Sequence, residues 1–123
     1  MARASAAGLG KWGEQRAAEE LQRAGMTVLE RNWRCSLGEI DIVAVDGSDL
    51  VIVEVKTRRD DLRGSAASAV TPAKLARLRT LARQWLASRP PSASRYRAVR
   101  IDVIAITRPL SGAETVLHLR GVE

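Results

Sequence analysis

The stretch Gly38-Glu-Ile-Asp-Ile-Val-Ala-Val-Asp-Gly-Ser-Asp-Leu-Val-Ile-Val-Glu-Val-Lys56 decides the fold. Two apolar, β-branched runs flank Asp46-Gly-Ser-Asp49, which is turn chemistry, so the segment reads as a β-hairpin. Its strands are predicted over Glu39–Val45 and Leu50–Lys56. Side chains alternate with period two, which puts Glu39, Asp41, Val43 and Val45 on one face of the first strand. Leu50, Ile52, Glu54 and Lys56 share one face of the second. If the loop is Gly47-Ser48, or all of Asp46 to Asp49, Val45 pairs with Leu50. Asp41 then falls opposite Glu54, and Glu39 opposite Lys56. A two-residue Asp46-Gly47 turn slides the register by two but keeps the same residues together; only an odd loop separates them. The second strand is apolar on both faces, as a central strand is.

Working outward, Leu9 to Ala24 has helical composition and Gly25 is a natural stop. Met26 to Trp33 reads as a strand, with a turn around Cys35 to Gly38. Beyond the hairpin, Thr57 to Val70 is polar, basic and rich in Gly, Ser and Ala, the composition of a loop. Thr71 suits an N-cap and Pro72 the first helical position. The helix that follows places Leu75, Leu78, Ala82 and Trp85 on one stripe. Ser88 to Arg97, with Pro90-Pro91, connects it to a fourth strand over Val99–Ile106, and Thr115–Leu119 makes a fifth. The order αβββαββ predicts one α/β domain over residues 1–123, a mixed sheet of about five strands flanked by helices. The first seven residues are expected to be a tail.

Composition narrows the chemistry. The 123 residues carry a net charge of +6 with a pI near 10.7, which favours a polyanionic partner. Seventeen of the twenty basic residues are Arg, a bias that coding composition alone can produce, so the three lysines at 11, 56 and 74 carry more information. One cysteine, Cys35, permits neither an internal disulfide nor a thiolate metal cluster. The single histidine, His118, excludes chemistry that needs several imidazoles, and reads as structural or solvated. With no secretion signal or membrane-spanning run in view, the expected location is cytoplasmic, away from membranes. The chemistry is left to carboxylates and lysine.

Two carboxylates opposed on adjacent strands repel, and each ends an apolar run where desolvation makes charge costly. A divalent cation between Asp41 and Glu54 would relieve both effects, and Mg²⁺ is commonly held by one or two carboxylates with waters and a phosphate. Lys56, about 7 Å along the strand from Glu54, reaches the same region. On the first helix Glu14, Ala17, Ala18 and Leu21 follow helical spacing, which puts Glu14 on the packing face. Gly10 and Gly13 would let that helix come close. Plainer alternatives stand beside each of these. Glu39 and Lys56 would also make an ordinary cross-strand ion pair, and Glu14 would also pair with Lys11 or Arg16 on a solvated face.

Gly38-Glu-Ile-Asp-Ile-Val43 followed by Val53-Glu-Val-Lys-Thr57 resembles the PD-(D/E)xK nuclease superfamily. Nearly the whole chain resembles, more narrowly, the YraN-type family of bacterial proteins assigned as endonucleases. The matching blocks are Gly10-x-x-Gly-Glu14, Leu29-Glu-Arg-Asn-Trp33, the Gly-Glu-Ile-Asp hairpin, Val53-Glu-Val-Lys-Thr-Arg58, Lys74, and Arg100-Ile-Asp-Val-Ile-Ala-Ile106. Ile40 stands where that pattern often has proline before the aspartate. The resemblance implies a restriction-endonuclease-like core close to Holliday-junction resolvases. It implies Asp41 and Glu54 as ligands of Mg²⁺ or Mn²⁺, Lys56 as the catalytic lysine and Glu14 as the helical acid. From its place on the packing face, Glu14 is a candidate for a second metal or for holding a metal-bound water. The expected activity is hydrolysis of nucleic-acid phosphodiesters, in duplex or branched DNA. Arg58, Arg59 and Arg63 in the loop, and Lys74 and Arg77 on the second helix, are the expected nucleic-acid contacts. No aromatic platform for base stacking is present, which favours backbone recognition. Resolvase-like action would need a homodimer. The rival expectations are a nucleic-acid-binding module that keeps the fold but cleaves nothing, and a protein–protein adaptor whose basicity is compositional. Arg100 and Asp102 read as a structural pair.

Overall fold

The computed structural model describes residues 6–59, 70–90, 95–109 and 111–123. Its elements are α1 (Ala6–Arg23), β1 (Thr27–Cys35), β2 (Gly38–Asp46), β3 (Asp49–Arg58), α2 (Pro72–Ala87), β4 (Ala98–Thr107) and β5 (Thr115–Leu119). The order is the predicted one. The strands lie in the sheet as they occur in the chain, β1-β2-β3-β4-β5. All neighbours are antiparallel except β3 and β4, which run parallel. A parallel pair needs a crossover, and α2 lies in that connection. Helix α1 begins at Ala6, so residues 6 and 7 of the expected seven-residue tail belong to the helix. Most of the predicted 57–70 loop, residues 60–69, lies outside the described residues, but Thr57 and Arg58 still belong to β3.

Helix α1 covers one face of the sheet and α2 the other. Ala17, Ala18 and Leu21 pack on Ile42, Ala44, Val51, Val53, Ile104 and Ile106. Leu78, Leu81, Ala82 and Trp85 pack on Val43, Leu50, Ile52 and Ile101. The run Leu50 to Val53 is fully buried, because β3 is covered on both sides as its composition predicted. Leu81 belongs to the buried stripe of α2, and Leu75, placed on it from spacing, only packs at its margin. Thr71 caps α2 by accepting the Lys74 N–H at 3.1 Å, and Pro72 follows it.

The turn resolves to the even case. Asp46 pairs with Asp49 and Val45 with Leu50, and the ladder continues to Ile42 opposite Val53. It ends there. On its other side β2 pairs Ile42 with Arg31 and then Ile40 with Trp33, and Asn32, in the left-handed region at φ 54°, sits beside the break. Ile40 consequently joins the α2-side cluster while Ile42 belongs to the α1 side, which strict alternation would not give. The irregularity is centred on Asp41.

Close approach of α1 rests on Gly13, not Gly10. A Cβ at Gly13 would sit 1.9 Å from Oγ1 of Thr57, and Cβ and Cγ2 of Thr57 would stand at 3.0 and 3.1 Å, so a new rotamer would not clear the space. Nothing lies within 4 Å of a Cβ added at Gly10. Gly13→Ala is therefore expected to destabilise the fold by ~1–3 kcal/mol through overpacking. Gly10→Ala, in the same helix, should stabilise it by up to ~1 kcal/mol through helix propensity. Urea melts of the two variants check this, and equal effects would contradict the packing.

Candidate acidic site at the end of the central strand

At the point where the β2–β3 ladder ends, the Asp41 side chain takes over from the backbone. Its Oδ2 accepts the Val55 N–H at 2.8 Å. Substituting a carboxylate for a strand carbonyl satisfies the donor and opens a small cavity of about 260 Å³. Glu39, Asp41 and Glu54 line it, together with Lys74, Arg77, Leu78 and Leu81 of α2. The expected convergence of Asp41 and Glu54 is thus present.

Burial is the main cause pushing the Asp41 carboxyl up to about 7, with the Glu54 charge next; the Val55 N–H opposes this, and Glu14 and Glu39 add smaller upward contributions. Asp41 therefore carries less than a full charge near neutral pH. Glu54 has a cationic partner: Lys74 Nζ lies 2.9 Å from its Oε1. Sequence spacing set Lys74 among the nucleic-acid contacts, but its head reaches into the acidic cavity.

The remaining expected residues are placed as follows. Glu14 is part-buried on α1 and acts on Asp41 electrostatically, but does not line the cavity. Arg16, its suggested ordinary partner, pairs with Glu20 and Glu114. Lys56 is exposed and makes no ion pair among the described residues. Glu39 pairs with Arg34 at 2.9 Å, so the cross-strand pair with Lys56 does not form. Arg58 and Arg59 are half-buried at the end of β3 and engage their surroundings. Arg77 is exposed at the cavity rim, and Arg63 lies outside the described residues. Spacing missed Arg108, whose guanidinium lies 4.5 Å from the ring centre of Trp12. Only the tertiary fold brings these two together.

Among the described residues no three Asp, Glu, His or Cys side chains converge tightly enough to enclose a metal on their own. Two carboxylates suffice for Mg²⁺, which keeps waters and takes up phosphate, so the pair fits such an ion as a hard-oxygen, charge-demanding site. A larger groove of about 850 Å³ runs between the end of α2 and the start of β4, lined by Leu29, Trp85, Leu86, Arg89, Tyr96 and Val99 among others. Its lining among the described residues includes no carboxylate.

A fully buried acid elsewhere in the sheet makes an instructive contrast. Asp102 is fully buried. It receives Nε and an Nη of Arg100 at 2.9 and 3.1 Å and the Gly121 N–H at 3.0 Å, with His118 Nε2 at 2.8 Å. Burial pushes its carboxyl up, but the hydrogen bonds from His118, Arg100 and Gly121 outweigh that and hold it below the usual aspartate range. Asp102 and His118 thus sit together in a compensated hydrogen-bond network with Arg100, the residue paired with Asp102 in the sequence reading.

Fold and site together define a small α/β protein, two helices on a five-stranded mixed sheet, with an acidic pocket where the central hairpin opens. The model of the uncharacterised protein family UPF0102 matches residues 13–106. A UPF0102 protein of Kineococcus radiotolerans is 54% identical over 114 residues, 93% of this chain and 92% of that one. Another from Beutenbergia cavernae is 53% identical over 114 residues, covering 93% and 94%. Among solved structures, SfsA of Pyrococcus furiosus in complex with Ca²⁺ aligns with a TM-score of 0.41 at 18% identity, over 94% of this chain and 64% of that one. The chain belongs to the UPF0102 family.

The charge conflict at Asp41 has a measurable signature. Its carboxyl ionises in the unfolded chain near 3.8 but in the fold only near 7, so stability is lost as pH rises between those values. The rise corresponds to at most ~4 kcal/mol. Asp41→Asn keeps an acceptor for Val55 and removes the titration. In EDTA it should melt above the parent protein at pH 8, with the gain vanishing near pH 4. A gain independent of pH, or a loss at pH 8, would contradict the burial of this charge.

Proposed function

We propose that this chain is a divalent-metal-dependent endonuclease of the PD-(D/E)xK type, with a restriction-endonuclease-like core, hydrolysing phosphodiester bonds of duplex or branched DNA. The observation that carries the reading is the shared pocket of Asp41 and Glu54 at the broken end of a hairpin, two residues before Lys56. Its acids are imperfectly compensated, and perturbed acids in a cleft are where functional sites concentrate.

In this reading Asp41 and Glu54 hold Mg²⁺ or Mn²⁺ in the pocket. The bound ion supplies Lewis acidity toward a phosphoryl oxygen and makes water more acidic. Asp41 is held rigidly by the Val55 N–H, which orients one oxygen and leaves the other for binding. Glu14 adds negative charge from α1 and favours cation occupancy. Lys56, exposed at the strand end, orients the attacking water or neutralises charge growing on the phosphate. Arg58, Arg59 and Arg77 surround this end of the sheet and suit contact with a phosphate backbone. Arg108, stacked on Trp12, extends the cationic rim.

A second reading is a nucleic-acid-binding module that retains the acids but does not cleave. The Lys74–Glu54 ion pair favours it, because that pair neutralises one acid without any metal.

Cleavage of linear, nicked and four-way-junction DNA in Mg²⁺, Mn²⁺ or EDTA distinguishes the two. The nuclease reading expects metal-dependent cutting reduced at least ~100-fold by Asp41→Ala or Lys56→Ala, a typical cost of losing an electrostatic or acid–base group. Salt-sensitive binding without cutting in any metal would favour the module. Cutting unaffected by Asp41→Ala would overturn the assigned site.

A further inference from the structure

We infer that Lys74 is a displaceable internal counter-ion: it holds Glu54 before metal arrives, yields that oxygen to a divalent cation, and then takes a phosphate oxygen of the nucleic acid. This rests on the metal-site reading above and adds to it a residue that couples metal binding to substrate binding.

The geometry supports each part. Lys74 Nζ is 2.9 Å from Glu54 Oε1, so the lysine sits on one of the atoms a cation in the pocket would claim. The lysine head and a divalent ion on that same oxygen would repel strongly at such separation. Lys74 is free to leave: its side chain is 44% exposed, against 15% for Glu54, and its stem is flexible. Its starting point is fixed, because Thr71 caps the first turn of α2 through the Lys74 N–H. Arg77, one turn along, lines the same cavity. A lysine leaving Glu54 would therefore stand beside a second cation at the mouth, a pairing suited to a phosphate. Lys56 does not fill this role, being exposed and without an ion pair among the described residues.

Two ligands should respond to loss of this lysine in opposite directions, which a merely structural lysine would not produce. Calorimetric titration with Mn²⁺, without nucleic acid, should give about tenfold tighter binding for Lys74→Met than for the parent, because the competing cation is gone. Lys74→Arg keeps the charge and should stay close to the parent. Binding of a DNA duplex should be little changed by Lys74→Met in EDTA, where the lysine is engaged with Glu54. In Ca²⁺ it should weaken about tenfold, since a phosphate contact is lost. Equal Mn²⁺ affinity of parent and Lys74→Met would overturn the counter-ion role and leave the metal site standing. Absence of Mn²⁺ binding in every variant would overturn both. Tighter Mn²⁺ binding without the Ca²⁺-dependent DNA effect would remove the phosphate step.

Discussion

The hydrogen bond from the Val55 N–H to Asp41 stands at the centre of this structure. It substitutes a side-chain oxygen for the next rung of the β2–β3 ladder, and so ends strand pairing at Ile42 and Val53 without leaving a buried donor unsatisfied. Everything around the pocket follows from that substitution. The strands part, the alternation of β2 breaks so that Ile40 turns to the α2 side, and an ionisable group is held part-buried in one pocket with Glu54. A backbone carbonyl there would have closed the sheet and placed no charge.

Among the described residues two aspartates in the sheet, the fully buried Asp102 and the part-buried Asp41, have opposite surroundings. Asp102 is surrounded by donors from Arg100, His118 and Gly121, and one Arg100 nitrogen that bonds Asp102 also lies 3.1 Å from Asp46. Its charge is fully compensated, and such networks hold a fold together because removing a partner leaves an uncompensated charge. Asp41 has one backbone donor and acidic neighbours. Sites that await a ligand leave compensation incomplete in this manner, whereas structural ion pairs complete it. That contrast, more than the basic composition, separates a candidate site from the scaffold.

Much of this was legible in the sequence, and the reasons are physical. An even turn between two alternating runs fixes which residues share a face, so the meeting of Asp41 and Glu54 could be counted from residue numbers. The caps at Thr71 and Pro72 and the doubly buried run of β3 were equally local properties. What escaped depended on tertiary approach. Gly10 and Gly13 look alike in sequence, and only Gly13 faces Thr57. Lys74 lies off the apolar stripe of α2, and periodicity says nothing of where four flexible bonds carry its head. Asn32 and the break opposite Asp41 altered the faces of Trp33 and Ile40, which a strict period of two cannot foresee. The stacking of Arg108 on Trp12 joins residues 96 positions apart, and no local pattern encodes it.

The central claim is that Asp41 and Glu54 form one cation site despite the lysine that already neutralises half of it. Anomalous diffraction from crystals soaked in Mn²⁺ addresses this without reference to activity. The account predicts a manganese peak within coordination distance of both carboxylates, with the Lys74 head moved off Glu54. Manganese bound elsewhere, with Lys74 still on Glu54 and neither carboxylate coordinating, would contradict it.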